Sequence, residues 1–207
     1  MQAECEAMTD ARAPRVAAIV LAAGRSTRMG AENKLLADIG GKPMVRCVVE
    51  TALASKARPV LVVTGHQADE VAAALAGCDV TLAPNPDYAT GLASSLKAGV
   101  RAVPGECAGA LVLLGDMPRI APGHIDMLIE AFAAATDAIV VPVHKGRQGN
   151  PVVWPRRTFP ELLQLDGDAG ARRLIAAHRE QVREIGLATD GIFADVDTPE
   201  ELARMRR

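Results

Sequence analysis

Aromatic side chains are nearly missing from this chain, which carries one Trp, one Tyr and three Phe in 207 residues. That scarcity excludes a nucleic-acid surface built on rows of stacking rings. It also obliges the core to be assembled from Ala, Val, Leu and Ile, the bulk of a 49% hydrophobic composition. A cationic excess is missing too, because 23 Lys and Arg stand against 25 Asp and Glu. Without a basic footprint a nucleic-acid polymer is a poor partner, and a mononucleotide is a better one. No apolar run approaches the roughly 20 residues of a membrane span. Residues 1–14 contain acidic side chains but no apolar centre, unlike a signal peptide, so the expected location is cytoplasmic with no membrane partner. Cys5, Cys47, Cys78 and Cys107 form no C-x-x-C pair and read as free thiols.

What the chain does contain is a rhythm of short apolar runs and helical segments. Residues 16–22, 60–64 and 110–114 read as buried strands and 80–83 as a further strand, with helices over 44–55, 69–76, 93–102 and 124–135 between and after them. This is the pattern of a single-domain α/β three-layer sandwich around a mostly parallel, doubly wound (Rossmann-like) sheet. The expected organisation is a disordered leader over 1–14 and one domain over 15–207. Further strands are expected at 138–143, 182–185 and 192–196, a short extended piece at 35–39, and helical segments near 158–163 and 169–178. Thr198-Pro199-Glu200-Glu201 opens the last helix as a capping box with Pro at the first helical position.

The first strand runs into Leu21-Ala22-Ala23-Gly24-Arg25-Ser26-Thr27-Arg28-Met29-Gly30, with Lys34 beyond. A loop leaving a parallel strand lies at its carboxyl end, where α/β sheets collect ligands. Small residues there let backbone N–H groups approach phosphate oxygens, and Arg28 and Lys34 add positive charge. The spacing matches neither G-x-x-x-x-G-K-[ST] nor G-x-G-x-x-G, and an ordinary βα turn with incidental charges is the competing reading.

Gly115-Asp116-Met117-Pro118 ends the 110–114 strand and places a carboxylate at the same edge. Facing a triphosphate, Asp116 is best explained as a ligand of a divalent cation; as a turn or cap residue it would have only a local role. Asp195-Val196-Asp197 puts two carboxylates on one face of the expected 192–196 strand, with Asp197 nearer its end. If that strand borders 110–114, Asp197 and Asp116 share one Mg²⁺. Ser94 and Ser95 begin a helix, where capping competes with contact to a nucleoside. His66 follows Thr64-Gly65 at a strand end and reads as a lone exposed histidine, inert more often than functional, and Trp154 beside Val152-Val153 suits a core or pocket wall.

Taken in order, Leu21-Ala22-Ala23-Gly24-x-Ser26-x-Arg28-Met29-Gly30-x-x-x-Lys34, Gly65-His66, Gly91-x-x-x-Ser95-Leu96, Gly115-Asp116-Met117-Pro118, Gly149-Asn150-Pro151, Gly167-Asp168-x-Gly170-Ala171-Arg172 and Asp195-Val196-Asp197-Thr198-Pro199-Glu200 resemble the molybdenum cofactor nucleotidyltransferases, in particular their cytidylyltransferase branch. The resemblance covers about residues 16–205. It implies transfer of CMP from CTP to the phosphate of the molybdopterin-molybdenum cofactor, with release of pyrophosphate. It implies nucleotide binding by Leu21, Ala22, Ala23, Gly24, Arg28, Lys34, Gly65, Ser95 and Asp116, and catalytic work by Arg28, Lys34 and Asp116. Mg²⁺ would be held by Asp116 and Asp197, and the acceptor by Arg147, Asn150, Asp168 and Arg172. Transient contact with a recipient molybdoenzyme is a further expectation. Alternatives within the chemistry are a guanylyltransferase of the same cofactor and a nucleotidyltransferase for a sugar or alcohol phosphate; outside it, a carrier that holds and delivers the cofactor.

The related guanylyltransferases carry Leu-Ala-Gly-Gly where this chain has Leu21-Ala22-Ala23-Gly24, so the Ala23 methyl is expected to narrow the base slot against a purine. Ala23→Gly, combined with changes at neighbouring positions, should shift preference toward GTP in a CTP/GTP competition assay. Equal use of the two nucleotides by the unmodified protein would remove the basis for that role.

Overall fold

A computed structural model of the chain describes residues 13–25, 33–167, 170–196 and 198–205. Residues 1–12 of the expected leader, and Arg28, Asp168 and Asp197 among the expected site residues, lie outside that set.

Strand β1 (Val16–Ala22) is buried along all seven residues, and its alternation divides the core in two. Val16, Ala18, Val20 and Ala22 join a cluster with Val45, Val48 and Val49 of α1 (Met44–Ala54), Val71 of α2 (Ala68–Ala74) and Ile125 and Leu128 of α4 (Pro122–Ala133). Ala17, Ile19 and Leu21 join Leu96 and Val100 of α3 (Leu92–Ala102), Phe159 and Leu162 of α5 (Phe159–Leu162) and Leu174 of α6 (Gly170–Ala177). An apolar run with no polar face is stable only with helices on both sides, and this sheet has them. The result is the expected three-layer α/β sandwich.

β1 pairs in parallel with β4 (Val60–Thr64) on one side and β6 (Gly109–Leu114) on the other, and β5 (Thr81–Pro84) continues in parallel beyond β4. β7 (Ile139–His144) pairs in parallel with β10 (Val182–Gly186). The strand order is β10-β7-β9-β6-β1-β4-β5, where β9 is Val152–Pro155 and β8 (Arg147–Gln148) pairs with β7. The chain first winds outward through β4 and β5, then returns to lay β6 against the free side of β1. The switch point between β1 and β6 opens a crevice at the strands' carboxyl ends.

Two segments depart from the sequence reading. β9 is antiparallel to both β6 and β7, and it carries Trp154 into the core at 2% exposure. Because β9 occupies the place beside β6, the expected strand over 192–196 does not form there. Asp190–Phe193 is a 3-10 turn instead, opened by the Thr189 side chain accepting from Gly191 N. Residues 194–196 are irregular backbone, tied down at single points. The expected extended piece over 35–39 begins as a 3-10 turn, Lys34–Leu36, and only Asp38–Ile39 (β2) is a strand. β2 pairs with β3 (Lys42–Pro43) across Gly40-Gly41, both at positive φ. The last helix, α7 (Pro199–Met205), opens as expected: Thr198 Oγ1 accepts from Glu201 N at 3.2 Å and Glu201 Oε2 accepts from Thr198 N at 3.0 Å.

Helix α3 approaches the sheet through Gly99, where a Cβ would lie 2.4 Å from Ile19 Cγ2 and 3.1 Å from Val63 Cγ2. Gly99→Ala should therefore destabilise the fold even though alanine favours helices. Overpacking costs about 1–3 kcal/mol, against a propensity gain of about 1 kcal/mol. The expected result is a lower urea midpoint with an unchanged m-value.

Candidate functional site

The carboxyl ends of β1, β4, β5 and β6 bring Ala23, Gly65, Asn85 and Gly115 to one edge of the sheet. Backbone bonds hold the loops together there: Gly115 N donates to Leu21 O at 3.0 Å, His66 N to Ala23 O at 3.2 Å, and Asn85 N to Thr64 O at 2.8 Å. Gly115 is required by close approach, since a Cβ would meet the Leu21 carbonyl oxygen at 2.9 Å. Gly65 is squeezed between Ala23 Cβ and the Tyr88 side chain, at 2.8 and 2.6 Å from where its own Cβ would stand. Leu21, Ala22 and Ala23 are buried. The Ala23 methyl thus faces Gly65 within the packed layer, while a Cβ on the exposed Gly24 would meet nothing within 4 Å among the described residues.

Lys34 and Asp116 meet at the switch point. Lys34 Nζ lies 2.6 Å from Asp116 Oδ2, and both side chains are largely buried, at 13% and 17% exposure. Asn33 starts the lysine's turn by accepting from Leu35 N at 3.1 Å, and Leu35 anchors the turn in the core. Asp116 Oδ1 is buried without a hydrogen-bond partner among the described residues. Burial raises the Asp116 carboxyl above its usual range; Lys34 pulls it down and Asp195 pushes it up. An ionised carboxylate with one orphaned oxygen in a low-dielectric site is costly unless a cation meets it. Val196 N donates to Asp116 O at 3.0 Å, so the 195–196 segment does reach Asp116, through a single backbone bond rather than a strand. Among the described residues no group of three or more His, Cys, Asp or Glu gathers as a metal cluster.

Ser95 is buried on α3 and its Oγ accepts from Asn85 Nδ2 at 3.0 Å; Ser94 Oγ accepts from the same amide at 2.9 Å. Asn85 is a residue that the sequence pattern alone does not single out. Its one signal is an Asn-Pro step directly after a buried strand, which reads first as a turn. His66 stands beside Tyr88, with ring centroids 6.1 Å apart.

The expected acceptor residues divide. Arg147 and Asn150 come together beside the 190–193 turn, where Asn150 N donates to Ile192 O at 3.0 Å. A Cβ on Gly149 would lie 2.5 Å from that same oxygen, so the glycine permits the contact. Arg172 is exposed on α6, which packs on the opposite face of the sheet.

In α/β sheets ligands collect at the topological switch point, and here that place has glycines at close approach and a buried carboxylate against a lysine. The chain belongs to the family of the MobA-like NTP transferase domain, whose model matches residues 18–182, and is a nucleotidyltransferase. It is 33% identical over 205 residues to the purine catabolism protein PucB of Bacillus subtilis (strain 168), covering 95% of this chain and 98% of that one. It is 30% identical over 184 residues to the molybdenum cofactor cytidylyltransferase of Escherichia coli (strain K12), covering 88% and 91%. Among solved structures it is similar to Rv0371c of Mycobacterium tuberculosis H37Rv, with TM-score 0.84, 28% identity and coverage of 94% and 98%. A complex of Rv0371C with manganese aligns at TM-score 0.77 and 27% identity, covering 93% and 98%.

The raised Asp116 carboxyl has a consequence for stability. A carboxyl whose folded value lies above its unfolded one binds more protons folded than unfolded between the two values. Stability contributed there is therefore lost as pH rises from the ordinary carboxylate value upward. Asp116→Asn should flatten that part of the profile, measured as melting temperature against pH in metal-free buffer.

Proposed function

We propose that this protein transfers CMP from CTP to the phosphate monoester of the molybdopterin-molybdenum cofactor, forming the cytosine dinucleotide and pyrophosphate in the cytoplasm. The observation that carries the reading is the buried Lys34–Asp116 pair at the switch point. The likeness to the Escherichia coli cytidylyltransferase, along nearly the whole of both chains, supports the substrate pair. No helix among the described residues is long and apolar enough to cross a membrane, and Cys47, Cys78 and Cys107 are free thiols, in keeping with the location proposed.

A phosphate monoester is already anionic near neutral pH, its second pKa being about 6, so the acceptor needs no strong base. Its oxygen forms a bond to the α-phosphorus of CTP as the bond to the bridging oxygen breaks, and pyrophosphate leaves with that electron pair. The protein's share is positioning and charge balance. Backbone of residues 21–24, with Arg28 and Lys34, holds the triphosphate, and the two cations offset charge on the departing pyrophosphate. Gly65 and Ser95 border the nucleoside, with Ser95 fixed by Asn85. The tight Ala23–Gly65 contact leaves the loop little freedom to widen for a purine. On the acceptor side the reading rests on Arg147 and Asn150, beside the 190–193 turn; Arg172, on the opposite face of the sheet, stands apart from them.

The orphaned Oδ1 of Asp116 and the hard-oxygen chemistry of a carboxylate fit Mg²⁺, with Asp116 and Asp197 as the residues that would hold it. When bound, the cation neutralises phosphate charge and polarises the α-phosphate. Asp116 remains the anchor on the protein side, held in place by Val196 N at its carbonyl and Lys34 at its carboxylate.

Pyrophosphate release, measured with CTP or GTP against the cofactor or a sugar phosphate, tests the assignment. Activity is expected with CTP and the cofactor, and Asp116→Ala should lower kcat at least about 100-fold. Equal rates with GTP would make the protein a guanylyltransferase or an unselective enzyme. Rates confined to a sugar phosphate would replace the acceptor. Unchanged release by Asp116→Ala would leave a carrier of the cofactor as the better reading.

A further inference from the structure

At the far side of the crevice, β7 and β8 form a hairpin in which His144 and Arg147 are directly opposed. The connection is Lys145-Gly146, both at positive φ (49° and 76°), the two-residue turn whose twist suits a hairpin. Opposed residues project to the same side of the ladder, and both meet Phe193. The Arg147 guanidinium carbon lies 4.5 Å from the ring centroid. The His144 ring stands edge-on at 6.4 Å and 60°, fixed by its Nδ1 at 2.8 Å from Leu187 O. Phe193 itself packs against the core, and the backbone before it is clamped by Asn150. Three residues later Val196 N is bonded to Asp116 O, a chain distance of at most about 11 Å.

An exposed arginine ordinarily spreads over many rotamers. Arg147 is exposed and no carboxylate among the described residues pairs with it, yet its planar group lies over one of only three phenylalanines in the chain. Because β7 runs in the same direction as β6, with β9 reversed between them, this cation stands on the same edge of the sheet as Asp116. A guanidinium over a ring face spends none of its N–H donors on that contact, which leaves its fork available to take a phosphate bidentately.

We infer that Phe193 is a positioning residue that holds Arg147 as the receptor for the acceptor's phosphate monoester. The inference rests on the acceptor reading above and extends it, because it names the group recognised and the residue that fixes the recogniser. Phe193 touches neither substrate. It acts by removing rotamers from Arg147, so its loss raises the concentration of acceptor required and leaves the nucleotide side alone.

The test uses the full chain with Mg²⁺ and a non-hydrolysable CTP analogue, and reads fluorescence anisotropy of a 6-substituted pterin carrying a phosphate monoester and of the same pterin without it. The native protein should bind the phosphorylated probe more tightly. Arg147→Ala should weaken that binding about thirtyfold, the loss of a charge-assisted bidentate contact. Phe193→Leu should weaken it about fivefold, the value of the cation–ring contact; Phe193→Tyr should restore it, and the KM for CTP should stay within twofold throughout. Phosphorylated-probe binding by Phe193→Leu equal to native, or an equal rise in the KM for CTP, would overturn the inference while leaving the acceptor reading intact. A native protein that binds neither probe would overturn the acceptor reading, and the inference with it. Should Phe193→Leu fail to fold, Arg147→Lys decides: the charge remains, the planar fork is gone, and binding should fall at least fivefold.

Discussion

The register of β1 against β6 sets the position of everything at the sheet edge. Leu21 pairs with Leu114, so the two chains leave the sheet at the same level and Gly115 N can close on Leu21 O. One residue later Asp116 stands over the crevice, and the turn that begins at Asn33 brings Lys34 to it. A shift of one residue would reverse the faces of β1 and carry Asp116 away from the crevice. The division of β1's side chains between two core clusters forbids that shift, because alanine and β-branched positions are matched to different helices on each side.

The central parallel strands β1, β4 and β6 were legible because burial on both faces leaves an unbroken apolar signature, and residues 60–64 form β4 at the expected bounds. β9 was not legible. Val152-Val153-Trp154 is short, and Pro151 and Pro155 on either side read more easily as loop. Residues 192–196 show the complementary pattern, strand-like in sequence without joining the sheet. Ile192 and Val196 are buried as strand residues would be, and only knowledge of which strand stands beside β6 shows that there is no vacancy.

The site was legible where chemistry is carried by a single residue type at a strand end. Asp116 after β6 and Lys34 beyond β1 both follow from that logic, and the fold brings them within 2.6 Å. Residues that act by supporting others were not legible. Asn85 serves through its amide to two serines, and Phe193 through a ring beneath a cation; each contact joins segments whose proximity no local pattern encodes. The same holds for Ala23, whose residue type attracts notice but whose neighbour Gly65 appears only when β1 and β4 are side by side.

Strand β9 has one more effect. By standing between β6 and β7 it separates those two parallel strands by two interstrand spacings, about 9.6 Å in all. Hydrogen bonds fix that interval, so the sheet behaves as a ruler graduated in strand widths. Without the reversed strand, β7 and the hairpin it carries would lie one division closer to β6. The width of this sheet edge is thus written in the backbone ladder, in units that side-chain substitution can trim but not reset.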